Sequence, residues 1–167
     1  MSTINGVVIG LVTDVNDPLK QGRIRVNFPW LADEHQTDWI RIATAMAGDG
    51  RGTFFMPELQ DEALVAFEHG NVRMPYVIGF LWNGKDSPPG QDVRDRRITS
   101  KNGHSIRFLD ATPSNGSKGA IVIEDAHGNR ITMSNGKITI DSVGVLELKA
   151  RTVTLNGRVL VPSGNPV

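Results

Sequence analysis

Residues 130–161 read RITMSNGKITIDSVGVLELKARTVTLNGRVLV, and the reading of this stretch decides the fold. Apolar residues recur in alternating pairs: Ile131/Met133, Ile138/Ile140, Leu146/Leu148, Val153/Leu155 and Val159/Val161. A period of two puts both members of a pair on one side of a strand, whereas a helix would need spacings of three and four. Asn135-Gly136 and Asn156-Gly157 fall between pairs. Such dipeptides supply the positive backbone angles of two-residue hairpin turns. The stretch is predicted to be a ladder of short strands joined by tight turns.

A ladder of this kind has a deficit when it stands alone. Each strand offers one narrow apolar face, and neither a helix nor a second sheet follows to cover it. The burial available does not offset the entropy of ordering the backbone. Three ladders facing inward would close a three-sided prism and cover edges that otherwise aggregate. The predicted core of this homotrimer is Ile131, Met133, Ile138, Ile140, Leu146, Leu148, Val153, Leu155, Val159 and Val161. A meander folded onto the rest of the same chain is the alternative.

Upstream, the same alternation recurs in shorter pieces. GVVIGLVTDV (6–15) ends at the turn signal Asn16-Asp17-Pro18. In GRIRVNF (22–28), Ile24, Val26 and Phe28 share one face, and Arg23, Arg25 and Asn27 the other. WIRIATA (39–45), Thr53–Pro57, EALVAFE (62–68) and MPYVIGFLW (74–82) complete a set of short strands with no amphipathic helix among them. That pattern and length predict an all-β, five-stranded OB-type barrel over residues 1–84. NGKDSPPGQDVRDRR carries Pro88-Pro89-Gly90 among dense charge, so 85–97 reads as a linker, with Arg94–Arg97 a solvated hinge. Residues 98–167 form the second domain, through HSIRFLD (104–110) and AIVIED (120–125) into the ladder.

Composition excludes several functions. The 167 residues carry 18 basic and 18 acidic groups and no cysteine. The barrel half, residues 1–84, holds 6 basic and 10 acidic residues (6 − 10 = −4) and the remainder 12 and 8 (+4), without a concentrated basic patch, so no nucleic-acid partner is expected. Phe54, Phe55, Phe67, Phe80 and Trp82 lie in apolar runs and are predicted mostly to pack in the core rather than to stack on bases. Without cysteine there is neither a disulfide framework nor a thiolate metal site. No apolar run reaches the length of a spanning helix. MSTINGVVIG lacks a basic start and a cleavage site, so synthesis in a reducing cytoplasm without a signal peptide is expected.

No constellation of catalytic residues emerges. His35, His69, His104 and His127 are far apart and make no metal-ligand spacing. Gly48-x-Gly50-x-Gly52 lacks the Lys-Ser/Thr of a phosphate loop and a following helix, and reads as a hairpin connection. Asp14-x-Asn16-Asp17 lacks the remaining ligands of a calcium loop. The adjacent carboxylates Asp61/Glu62 and Glu124/Asp125 are not poised for acid–base work. Neither an enzyme activity nor a cofactor nor a metal is expected.

Several stretches carry a family likeness. GRIRVNFPW (22–30), the strand beginning Trp39-Ile40-Arg41, and AGDGRGTFFMPELQDEALVAFEHGNVRMPYVIGFLWNG (47–84) resemble the OB-fold domain of contractile-tail spike proteins. Among these are phage baseplate assembly protein V and the valine-glycine repeat spikes of type VI secretion. SKNGHSIRFLD (100–110) and HGNRITMSNGKITIDS (127–142) are similar to the entry into the β-helix of those spikes. The resemblance covers roughly residues 6–161, with two distinct modules in the family's order.

The resemblance implies an all-β homotrimer: three OB barrels followed by a C-terminal intertwined trimeric β-helix, or β-prism. It implies the structural central spike of a contractile phage tail baseplate or related injection system, in the virion tail baseplate or a cytoplasm-assembled particle. Such a spike pierces the target envelope and meets a membrane only transiently. No fused hub precedes the barrel, so a separate hub protein is implied. The end of the chain lacks an HxH iron-binding apex, so a separate tip protein is expected to cap Val161, Pro162, Ser163 and Gly164. The alternative is a carrier or adaptor spike that displays effectors at that end.

Overall fold

A computed structural model describes residues 4–31, 36–112 and 116–160. The chain divides into two compact units, Met1–Pro88 and Pro89–Val167. Among the described residues each consists of strands and turns, apart from a 3-10 turn at Glu68–Gly70 in the first.

In the first unit the strands are β1 (Val7–Asp14), β2 (Arg25–Asn27), β3 (Arg41–Ile42), β4 (Ala47–Gly48), β5 (Arg51–Gly52), β6 (Glu62–Phe67) and β7 (Pro75–Leu81). Five of them make one curled sheet in the order β2-β1-β6-β7-β3, antiparallel except where β3 runs parallel to β7. Its two edges approach each other, because Ile24 and Ile40 exchange backbone hydrogen bonds of 3.0 and 2.9 Å. The alternating side chains that point inward are the core: Val12, Ile24, Val26, Ala63, Val65 and Val77 are fully buried. Phe28 and Phe67 pack tilted at 6.0 Å between ring centroids. This is the OB-like half-barrel that the alternation implied.

Details depart from the expected strands. The strand at 39–45 shrinks to Arg41–Ile42 and the Ile24–Ile40 bridge. Thr53–Pro57 pairs with no strand. Of the five aromatic residues expected mostly in the core, only Phe67 is there. Phe54, Phe55, Phe80 and Trp82 are exposed. Two of them lie in the unpaired 53–57 segment. The other two, Phe80 in β7 and Trp82 just past its end, lie beyond Tyr76 and Val77, where the short β3 stops flanking β7.

The second unit is a consecutive antiparallel meander. Its strands are β8 (Asp95–Thr99), β9 (Ser105–Leu109), β10 (Ala120–Glu124), β11 (Arg130–Ser134) and β12 (Lys137–Asp141). A separate two-stranded hairpin joins β13 (Thr154–Leu155) to β14 (Arg158–Val159). Both Asn-Gly turns have the required left-handed pairs: Asn135 and Gly136 at φ 50° and 73°, Asn156 and Gly157 at 50° and 77°. The β10–β11 turn is held by the Asp125 carboxylate, which accepts N–H bonds from His127 (2.9 Å) and Asn129 (2.9 Å) and the Asn129 side-chain amide (2.7 Å).

Two expectations are corrected here. The composition of 85–97 reads as linker, yet β8 begins at Asp95. The charges that suggested a hinge are paired instead: Arg94 with Asp92, Arg96 with Asp110, Arg97 with Asp95. Leu146 and Leu148 were expected in a strand, but 142–153 holds none. A strand exists only where a neighbouring strand takes up its backbone N–H and C=O groups in sequence. Among the described residues 142–153 has only isolated partners, such as the Leu160 N–H on the Val153 carbonyl at 2.8 Å and the Asn129 side chain on the Val143 N–H at 3.0 Å.

Candidate functional site

The side chains of the five-stranded meander sort by face. Residues directly opposite in an antiparallel ladder point to the same side. The register therefore lines up one row as Arg96–Phe108–Ile121–Met133–Ile138 and the next as Ile98–Ile106–Ile123–Ile131–Ile140. Nine of these ten residues are large and apolar, and all nine are exposed, from 37% at Met133 to 68% at Ile138. The opposite face carries Leu109, Ala120 and the buried Val122 at its centre and is otherwise polar and laced with ion pairs. Asp95 accepts from Arg97 and, at 2.7 Å, from Arg107, and Glu124 accepts from Arg130 at 2.8 Å. Thr132, Ser134, Lys137 and Thr139 continue that face.

An exposed two-row apolar sheet face of this kind is not a feature of a finished monomer surface. Sheets with one such face bury it against another layer. Within the second unit, no described element covers it. The site is therefore a surface for association rather than for chemistry.

Four of the predicted core residues, Ile131, Met133, Ile138 and Ile140, lie together on this face. Leu146 and Leu148 are exposed in the strandless segment. Val153 is half-buried. In the β13–β14 hairpin, Leu155 pairs with Arg158 and Val159 with Thr154, so Leu155 and Val159 point to opposite sides rather than to one. Val161, and with it the expected tip-binding end Val161, Pro162, Ser163 and Gly164, lies outside the described residues.

Sequence reasoning missed Ile98, Ile106, Phe108, Ile121 and Ile123, which make up the other half of the face. The signal was present. Ile106/Phe108 and Ile121/Ile123 show the same alternation as the ladder.

The other candidate sites resolve into structural roles. Asp17 accepts the backbone N–H groups of Leu19 and Gln21 at 3.0 and 2.8 Å. It also takes two bonds from the Arg23 guanidinium, at 3.0 and 2.7 Å. This Arg23 fork, with the backbone bonds, holds its carboxyl far below the usual carboxylate range. The carboxylate is consumed by its own loop, with nothing left over for a calcium ion. Gly48 and Gly52 belong to the β4–β5 hairpin. His104 accepts the Ala126 N–H at Nδ1 (3.2 Å), His69 sits in the 3-10 turn, and His127 in the β10–β11 turn. His35 lies outside the described residues. Among the described residues no group of His, Asp or Glu side chains is placed to hold a metal ion. No helix among them is long and apolar enough to cross a membrane.

The comparisons with known proteins fall on the same two units. Residues 8–82 match the type VI secretion system/phage-baseplate injector OB domain family. Residues 96–161 match the phage baseplate V C-terminal trimerisation domain family. Among curated proteins, the chain is similar to the type VI secretion system spike proteins VgrG4b and VgrG2a of Pseudomonas aeruginosa. It is 32% identical to VgrG4b over 115 residues, 55% of this chain and 14% of that protein. It is 35% identical to VgrG2a over 83 residues, 47% of this chain and 10% of that protein. VgrG3 of Vibrio cholerae is 29% identical over 72 residues, 41% of this chain and 7% of that protein. The matches thus span only a small part, 7–14%, of these relatives' length. With an injector OB domain followed by a trimerisation domain that carries the uncovered face, the chain belongs to the phage baseplate V and type VI secretion spike family, a structural family of contractile injection.

Proposed function

We propose that three copies of this chain form the central spike of a contractile phage tail baseplate or a related injection machine, and that this spike pierces the target envelope. The observation that carries this reading is the two-row apolar face within the segment that matches a trimerisation domain. Two further copies of the same chain are its occupants. Each contributes an identical face, and three faces close a dry core with the ion-paired polar faces outward.

Such a body suits mechanical work. Its backbone bonds run within and between strands, and its core is exposed only if all three chains separate. The energy for piercing comes from the contracting sheath, and the spike's task is to survive the load. In this arrangement the OB unit faces the hub of the machine, and the segment Val161, Pro162, Ser163 and Gly164 receives a tip protein.

Electron microscopy of assembled particles tests the assignment. A gold label on this chain should appear on the tail axis at the baseplate end. A label along the sheath, or absent from particles, would contradict it. Removing residues 162–167 should leave the trimer intact and abolish co-elution with the tip protein, whereas unchanged co-elution would remove the tip assignment.

A further inference from the structure

The inner face has one charged residue among its ten ladder positions. Arg96 stands in the row of Phe108, Ile121, Met133 and Ile138. Its guanidinium is ion-paired with the Asp110 carboxylate. Asp110 continues the alternation of Ile106 and Phe108 one step past β9, and its N–H extends the ladder by bonding to the Arg94 carbonyl at 2.8 Å. The pair therefore projects from the apolar side. The other ion pairs of this sheet, Asp95 with Arg97 and Arg107, and Glu124 with Arg130, lie on the polar side, where an outward face needs charge.

We propose that the Arg96–Asp110 pair is a polar layer at one end of the interface between copies, and that it sets the register in which the three chains close. The inference rests on the trimeric reading given above. Apolar rows alone specify register weakly, because a slip of two residues along the strand keeps the same face inward. It merely exchanges one isoleucine for another. A slipped copy would set the Arg96–Asp110 pair, still joined within its own chain, against the apolar row of the next. Burying a charged pair among apolar side chains costs more in desolvation than the attraction returns, whereas pairs that meet in one layer can satisfy each other's remaining donors and acceptors. The layer would thus add little to the strength of assembly and much to its uniqueness, as a lone polar position does in a coiled-coil seam.

Four full-length variants test this: Asp110→Asn, Arg96→Met, the apolar double variant Arg96→Met with Asp110→Leu, and the charge swap Arg96→Asp with Asp110→Arg. The readouts are native mass, for the distribution of assembly states, and thermal midpoint. Asp110→Asn should lower the midpoint and shrink the trimer fraction, because Arg96 loses its partner. The charge swap should restore both. The apolar double variant should keep or raise the midpoint but spread over several assembly states. Arg96→Met alone should fall between, since it leaves a carboxylate at the layer's edge. Parent-like midpoints and a single trimer in all four variants would overturn the proposal and leave the trimeric core standing. A parent chain that is itself a folded monomer would overturn the trimeric reading and this one with it.

Discussion

Ile140 shows how much rests on a single side chain. It faces Ile131 across the ladder and is more than half exposed in one chain. In the assembled core the same position would meet its copies across the threefold axis. Ile140→Asp would therefore bury three carboxylates without partners, at about 3–5 kcal/mol for each buried charge left unpaired. Light scattering should find no trimer for this variant at micromolar concentration. A normal trimer yield would remove Ile140 from the interior. Asp17 gives a prediction of a different kind. Its carboxyl is depressed in the fold by the Arg23 fork and the backbone N–H groups around it. A depressed folded value stabilises fully above the unfolded carboxylate value, near 4, and that stabilisation fades as pH falls toward the folded value. Asp17→Asn should lower the midpoint of the OB unit at pH 7 and flatten its loss of stability below about pH 4. An unchanged acid limb would show that the loop does not depend on this charge.

At the scale of elements, the tightest constraint is Gly119, which leads into β10. Its φ is +90°, and an added Cβ would lie 1.7 Å from the Leu109 carbonyl oxygen. Gly119→Ala should cost about 1–3 kcal/mol and loosen the β9–β10 pairing. Hydrogen exchange at Ile121 and Ile123 is the measurement, and unchanged protection would contradict the close approach. Elements were legible where chemistry left a local mark. Ile24, Val26 and Phe28 alternate with Arg23, Arg25 and Asn27, and their burial follows that alternation. Asn135-Gly136 and Asn156-Gly157 announce their turns through the backbone angles that they permit. What stayed hidden depends on partners far away in sequence. Arg96 and Arg97 look like a solvated hinge until Asp110 and Asp95 come beside them. Phe54 and Phe55 look like a strand because their composition fits one, but among the described residues no strand pairs with them. The inward face was read only from Ile131 onward. The earlier pairs at Ile106/Phe108 and Ile121/Ile123 are separated by the long 111–119 connection, which hides the repeat.

The whole molecule poses one energetic question, namely what covers nine exposed apolar side chains on one sheet. The OB unit answers it internally, since its alternating residues close a core with Val12, Ile24, Val26, Val65 and Val77 fully buried. Among its described residues the second unit has one exposed apolar face and no layer of its own to set against it. A family that names this segment a trimerisation domain supplies the layer from two more copies. The most direct test is the mass of the purified chain in solution at micromolar concentration, by sedimentation or light scattering, with hydrogen exchange of residues 130–141 on the same sample. The account predicts three times the chain mass and strong protection of that segment. A folded monomer with the same segment protected would contradict it.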